Sequence, residues 1–184
     1  MLDTLNRGAR KVPNWLWYVL GPIPAAWLLW QGVTGGLGID PVKAIEHELG
    51  VIALQLLIAG LAITPLRRFA GVNLIKWRRP LGILAFAYVA LHLSTWVFLD
   101  MQLYWGQLLK DIAKRPYITI GMVGFLLLLP LVWTSNNRSV RRMGAAAWGR
   151  LHKLVYPAVL LGAVHFVMVQ KVWEPEALSY LGIA

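Results

Sequence analysis

GRLHKLVYPAVLLGAVHF, residues 149–166, carries two imidazoles, His152 and His165, in a segment that is otherwise almost wholly apolar. No charged residue occurs between Leu154 and Gln170. A helix rises about 1.5 Å per residue, so roughly 17–25 apolar residues span the hydrocarbon core of a bilayer. The segment is long enough to cross a membrane, and it is not alone. Uncharged runs also cover residues 12–39, 49–66, 80–99 and 116–137. Over the chain, 58% of the 184 residues are hydrophobic and 14% are charged, against about 25% charged in an ordinary soluble domain. A soluble core cannot absorb that much apolar surface, so the solvent is lipid.

The five runs predict an all-α integral membrane protein: a bundle of five transmembrane helices within 15–34, 48–66, 80–99, 117–134 and 152–171, forming a single domain over residues 1–184. The tail EPEALSYLGIA, residues 174–184, reads as the start of a sixth helix, too short here to span. The first run follows a basic leader (Arg7, Arg10, Lys11) and so resembles a signal peptide. It is long, holds four tryptophans and lacks a small-residue cleavage site, which predicts a retained helix.

The net charge of +10 follows the membrane and is not a nucleic-acid signal. With the N-terminus cytoplasmic, the inner segments hold 13 of the 18 basic residues, among them Arg67, Arg68, Lys76, Arg78, Arg79, Arg138, Arg141, Arg142, Arg150 and Lys153. Seven of the eight acids then lie outside, with Asp3 the exception. This is the positive-inside bias. Trp15, Trp17, Trp77, Trp96, Trp105, Trp148 and Trp173 fall near span boundaries, as an aromatic belt would. The outer loop 100–117 is amphipathic enough to lie on the membrane surface. In the first outer loop, Asp40 is placed to cap a helix beginning at Pro41.

No loop can house a catalytic domain. The chain has neither a phosphate-binding G-x-x-x-x-G-K-[ST] loop nor an H-E-x-x-H zinc helix, and the expected spans contain no carboxylate. Any chemistry must use the four histidines, His47, His92, His152 and His165. His92 lies 13 residues beyond Arg79 and His165 15 beyond Arg150, so both sit about 20 Å from the inner face. His152 is at the inner edge, and His47 is at the outer edge beside Glu46 and Glu48.

An ionisable group at membrane depth is costly and needs a partner. Four readings stay open: a neutral imidazole bonded to a carbonyl or to Tyr88, Ser94 or Thr95; a proton relay; zinc; and heme iron. A relay recruits carboxylates, and structural zinc takes about four ligands. A bis-histidine heme needs two imidazoles at one depth, as His92 and His165 are. The 13 residues between His152 and His165 suit two stacked redox centres. Yet an ideal helix leaves those side chains about 140° apart, unless Pro157 alters the phase. His152 also lacks a histidine at its own depth. For His47 the plain reading is an interfacial residue at a helix start.

GGLGIDPVKAIEH (35–47), ITPLRR (63–68), RRPLGILAFAYVALHLS (78–94), RPYITIG (115–121) and RLHKLVYPAVLLGAVHF (150–166) together resemble the MsrQ (YedZ) family. That family forms the heme-binding membrane subunits of bacterial protein-methionine-sulfoxide reductase systems, within the ferric-reductase-like transmembrane group. The resemblance runs in order from about residue 13 to residue 180. It implies b-type heme, one or two per chain, with iron ligands matching His92, His152 and His165. It leaves room for FMN, for which no contact residue is assigned. It further implies a multi-pass protein of the bacterial inner membrane that draws electrons from respiratory quinol. Its partner would be a periplasmic molybdopterin methionine-sulfoxide reductase subunit (MsrP), itself the catalytic subunit. Arg68, Arg78, Arg79 and Arg141 are candidate anchors for phosphate or propionate, though each reads equally as a positive-inside marker. The expectation is an electron carrier. The competing classes are a proton-coupled transporter or channel with titrating histidines, and a structural assembly subunit.

The predicted orientation has a direct check. In cells carrying Asn73→Cys or Gln107→Cys, an impermeant thiol reagent added outside should label position 107 and leave 73 unlabelled. The opposite pattern would invert the topology.

Overall fold

The computed structural model describes residues 2–170 and 175–183, residues 175–177 by their backbone alone. Among these residues the secondary structure is entirely helical. Four stretches are long and apolar enough to cross a membrane: Pro41–Ala70, Ile75–Asp100, Pro116–Trp133 and Ala145–Val169. The protein is a multi-pass membrane protein. Its residues fall into two compact units, Met1–Thr95 and Trp96–Ala184.

In the first unit, α1 (Leu2–Lys11) is a short amphipathic helix. By sequence this leader is only a basic flank; in the structure it is a helix. It is latched to the loop after α4 (Pro41–Ala70): Asn6 Nδ2 donates to Gly71 O at 3.0 Å, and Asn6 Oδ1 accepts from Asn73 N at 2.8 Å. Lys76 Nζ donates to Arg10 O and Val12 O, both at 2.6 Å. Asp40 caps α4 as expected, its Oδ1 accepting from Lys43 N at 3.1 Å.

The expected helix over 15–34 is divided into α2 (Trp15–Leu20) and α3 (Ile23–Thr34). Pro22 and Pro24 contribute no N–H to the ladder. The Tyr88 hydroxyl, from α5 (Arg78–Ser94), enters the gap: it donates to Gly21 O at 2.6 Å and accepts from Ala25 N at 3.3 Å. In an unbroken helix those two backbone groups would bond each other. Tyr88 is only 2% exposed, inside a core with Ala25, Leu28, Ile45, Leu49 and Ala53. Gly21 lets α2 approach α5 closely, since a Cβ there would lie 2.6 Å from the Leu84 methyls. α4 and α5 pack antiparallel, the start of α4 against the end of α5.

The second unit continues from a π-helical turn over Thr95–Asp100. Gln102 and Leu103 then take positive φ (47° and 62°) and turn the chain into α6 (Trp105–Lys114), the amphipathic helix expected in the outer loop. α7 (Pro116–Trp133) follows. Two short helices, α8 (Asn137–Met143) and α9 (Ala145–His152), occupy the basic loop, and α10 (Val155–Val169) returns against α7. Pro157 cannot donate to Lys153 O, and the chain tightens just before it: Leu154 N donates to Leu151 O at 3.0 Å and Tyr156 N to Lys153 O at 3.1 Å. The helix expected over 152–171 is therefore interrupted between His152 and His165. Lys171 and Trp173, which the sequence placed at the outer boundary, lie outside the described residues. The expected start of a sixth helix corresponds to α11 (Pro175–Ile183).

Tyr88→Phe should leave Gly21 C=O and the buried Ala25 N–H without their shared partner, lowering stability by about 1–3 kcal/mol. Thermal unfolding in detergent should show a lower midpoint; an unchanged midpoint would contradict the role given to this hydroxyl.

Candidate functional site

His92 stands near the end of α5, half-buried, with Nδ1 2.8 Å from Glu46 O in the first turns of α4. A carbonyl oxygen can only accept, so Nδ1–H is the donor, and in a neutral ring the lone pair belongs to Nε2. The bond ties α5 to α4 through the backbone of α4 and fixes the ring's orientation. Four residues beyond Glu46 is Gly50, where an added Cβ would lie 3.2 Å from His92 Nδ1. His47 is exposed, its Nδ1 3.7 Å from Glu48 Oε1, in keeping with an interfacial residue.

His165 on α10 repeats this arrangement in the second unit. Its Nδ1 donates to Tyr117 O of α7 at 2.7 Å, which again puts the lone pair on Nε2. Four residues beyond Tyr117 is Gly121, where a Cβ would lie 2.9 Å from His165 Nδ1. Tyr117 is held in turn: its hydroxyl accepts from Arg115 at 3.2 Å, and Arg115 sits 3.5 Å from buried Asp111 Oδ2. Gln107 Nε2 donates to Asp111 Oδ1 at 2.9 Å. A buried acid, its arginine and the tyrosine thus stand beside the carbonyl that seats His165.

His152 is held differently. Its ring stacks on Trp148 with centroids 3.7 Å apart, and its Nε2 is 3.0 Å from Thr134 Oγ1. The Thr134 hydroxyl donates to Pro130 O at 2.6 Å, so its oxygen accepts from His152 Nε2–H. The lone pair of this ring is then on Nδ1, the reverse of the other two. Trp148 Nε1 donates to Thr134 O at 2.8 Å and closes the cluster. Arg68, Arg78, Arg79 and Arg141 are all exposed. Arg138 and Arg142, which the sequence did not single out as anchors, line a cavity of about 570 Å³ with Trp133, Asn136 and Ser139.

The sequence found His92 and His165 but not Glu46, Gly50, Tyr117 and Gly121. A glycine inside an expected span is the available signal, and it is a faint one because the carbonyl it exposes carries no side-chain signature.

Among the described residues no group of three or more His, Cys, Asp or Glu side chains is placed to hold a metal ion. The chemistry of these histidines is that of single imidazoles. His92 and His165 fit axial ligation of heme: each ring is oriented by a backbone carbonyl on Nδ1, and Nε2 is the atom that would face iron. His152 does not fit ligation through Nε2 without exchanging its Thr134 bond.

Residues 48–163 match the model of the ferric reductase like transmembrane component family, a segment that includes His92 and His152 and ends two residues before His165. The chain is 46% identical over 180 residues to the "Protein-methionine-sulfoxide reductase heme-binding subunit MsrQ" of Brucella anthropi, covering 98% of this chain and 80% of the relative. It is 48% identical over 169 residues to the protein of the same description in Brucella ovis, covering 92% and 76%. No solved structure matches the chain.

Proposed function

The chain belongs to the MsrQ family of ferric-reductase-like transmembrane proteins, and from that premise we propose that it carries electrons across the bacterial inner membrane to a periplasmic methionine-sulfoxide reductase. The observation that carries the proposal is the matched seating of His92 and His165, each with Nδ1–H bonded to a carbonyl of the facing helix. That bond selects the Nε2 lone pair, makes the imidazole a stronger donor and holds its plane. Heme, when bound, supplies the one-electron redox couple.

The residues of the chain do the rest. His92 and His165 would hold iron. The apolar side chains around each imidazole would keep water from the porphyrin and so tune its potential. Residues 1–184 act as one heme-binding domain, with Trp15–Thr34 as a fifth crossing interrupted at Gly21–Pro22, and with the N-terminus cytoplasmic. The donor is respiratory quinol, with FMN as a further carrier, and the acceptor is the molybdopterin subunit MsrP. These last assignments rest on the family alone.

His152 enters as the ligand of a second, inner heme, which the family resemblance supports. Its ring is held by the hydrogen bond to Thr134 and the stack on Trp148. Ligation through Nε2 would exchange Thr134 for the metal.

Pyridine-hemochrome counts on purified variants test both parts. His92→Ala and His165→Ala should each lose the low-spin heme spectrum; full heme with an unchanged spectrum in both would overturn the proposal. His152→Ala should lower the count by about one heme per chain while the low-spin spectrum persists. Full retention there, with normal reduction by quinol, would make His152 structural and remove the second heme.

A further inference from the structure

We propose that Gly50 and Gly121 are positioning residues for the two seated imidazoles: in each unit the missing side chain is what lets a histidine reach the carbonyl four residues earlier on the facing helix. The inference rests on the reading of His92 and His165 as heme ligands and extends it to two residues that touch neither iron nor porphyrin in that reading.

The geometry comes from the helix itself. Side chains in an α-helix point back toward its N-terminus, so the residue at i+4 covers the flank of carbonyl i. That carbonyl already accepts from the N–H of residue i+4 and keeps a second lone pair at its side. An outside donor reaches the lone pair only if residue i+4 has no Cβ in the way. Glu46 O is followed at i+4 by Gly50, and Tyr117 O by Gly121. A Cβ at Gly121 would stand 2.9 Å from His165 Nδ1 and 3.1 Å from its Cε1. A Cβ at Gly50 would stand 3.2 Å from His92 Nδ1 and 3.4 Å from its Cε1. The ring nitrogen that makes the hydrogen bond is thus the atom the methyl would strike.

Neither ring can swing aside cheaply, because each hangs from a helix packed along the one it touches. Glycine inside a helix is disfavoured relative to alanine, so its use at both positions calls for a reason. The other glycines on these two helices that would meet an added Cβ loosely or not at all set the comparison. Gly60, on the same helix as Gly50, would have nothing within 4 Å of an added Cβ. Gly124, on the same helix as Gly121, would make only ordinary contact, 3.6 Å from Leu161 Cβ.

The consequence is electronic as well as steric. With a methyl at the seat, the Nδ1–H···O=C bond lengthens or breaks. Imidazole then donates less to iron, the oxidised state is less well stabilised, and the midpoint potential rises.

Gly50→Ala and Gly121→Ala should be compared with the same-helix controls Gly60→Ala and Gly124→Ala in full-length protein purified with heme. Heme retention, low-temperature electron paramagnetic resonance of the ferric state and potentiometric titration are read on each. Gly121→Ala should lower heme affinity about tenfold, and Gly50→Ala, with the longer contact, by less. Both should shift the low-spin g values and raise the potential of the heme they retain, while the controls match the unsubstituted protein.

Unchanged signals and potentials in both seat variants would overturn the proposal. So would controls that change as much as the seats do, or failure of both seat variants to accumulate as monodisperse protein while the controls accumulate, since tight packing would then suffice. Should Gly121→Ala alone fail to fold, the milder Gly50→Ala decides. Full heme in His92→Ala and His165→Ala would instead defeat the ligand reading; loss of heme there with silent glycines would defeat this inference alone.

Discussion

The bond from an imidazole Nδ1–H to a carbonyl of the facing helix is the contact on which both units turn. A histidine among apolar helices loses hydration that only a partner can replace. Side-chain partners are scarce at that depth, since residues 49–66, 80–99 and 116–137 contain no charge. The backbone remains, and a helical carbonyl can take a second donor without giving up its own. His92 uses Glu46 O at 2.8 Å and His165 uses Tyr117 O at 2.7 Å. Each bond satisfies one ring nitrogen, fixes the tautomer and links two helices. With the ring's direction fixed in this way, the imidazole has the defined orientation that a metal centre requires of a ligand.

The same economy explains the break in the first apolar segment. Pro22 and Pro24 cannot sustain a helical ladder, and in lipid an unsatisfied peptide group is costly. Tyr88 resolves this from α5 by placing one hydroxyl between Gly21 O and Ala25 N as both donor and acceptor. Four residues further along α5 comes His92, so one helix carries the plug for α2 and α3 and the imidazole that grips α4. Irregular backbone is tolerated here because a side chain from a packed neighbour completes it, while the apolar faces around it still bury one another.

Most of the helical architecture could be read from hydropathy, because lipid imposes a length on every span and punishes charge within it. The cap at Asp40, the amphipathic α6 and the change of phase ahead of Pro157 were legible for similarly local reasons. Other features were not. The segment over 15–34 reads as continuous by hydropathy; Pro22 and Pro24 break it locally, but the group that completes the broken backbone, the Tyr88 hydroxyl, is more than 50 residues away. The leader looked like a simple basic flank because α1 is latched by Asn6 to a loop over 60 residues distant. His152 looked like its two fellows, since a sequence shows an imidazole but not which nitrogen is protonated. Its Thr134 and Trp148 partners give it the opposite tautomer.

Equivalent seating in the two units also shows why no internal repeat is visible along the chain. Each seat uses an antiparallel helix pair in which the earlier helix offers a carbonyl near its start and the later helix brings a histidine near its end. The accepting group is backbone, so the residue that owns it can be the first glutamate of EHELG (46–50) or the tyrosine of YITIG (117–121). The positions that chemistry constrains are the histidine and the glycine at i+4. Two helices can therefore share a functional geometry through a single common residue type in each, and the similarity stays below what a comparison of side chains detects. Where a hydrogen bond ends on the backbone, the sequence records the site mainly as the side chain that had to be missing.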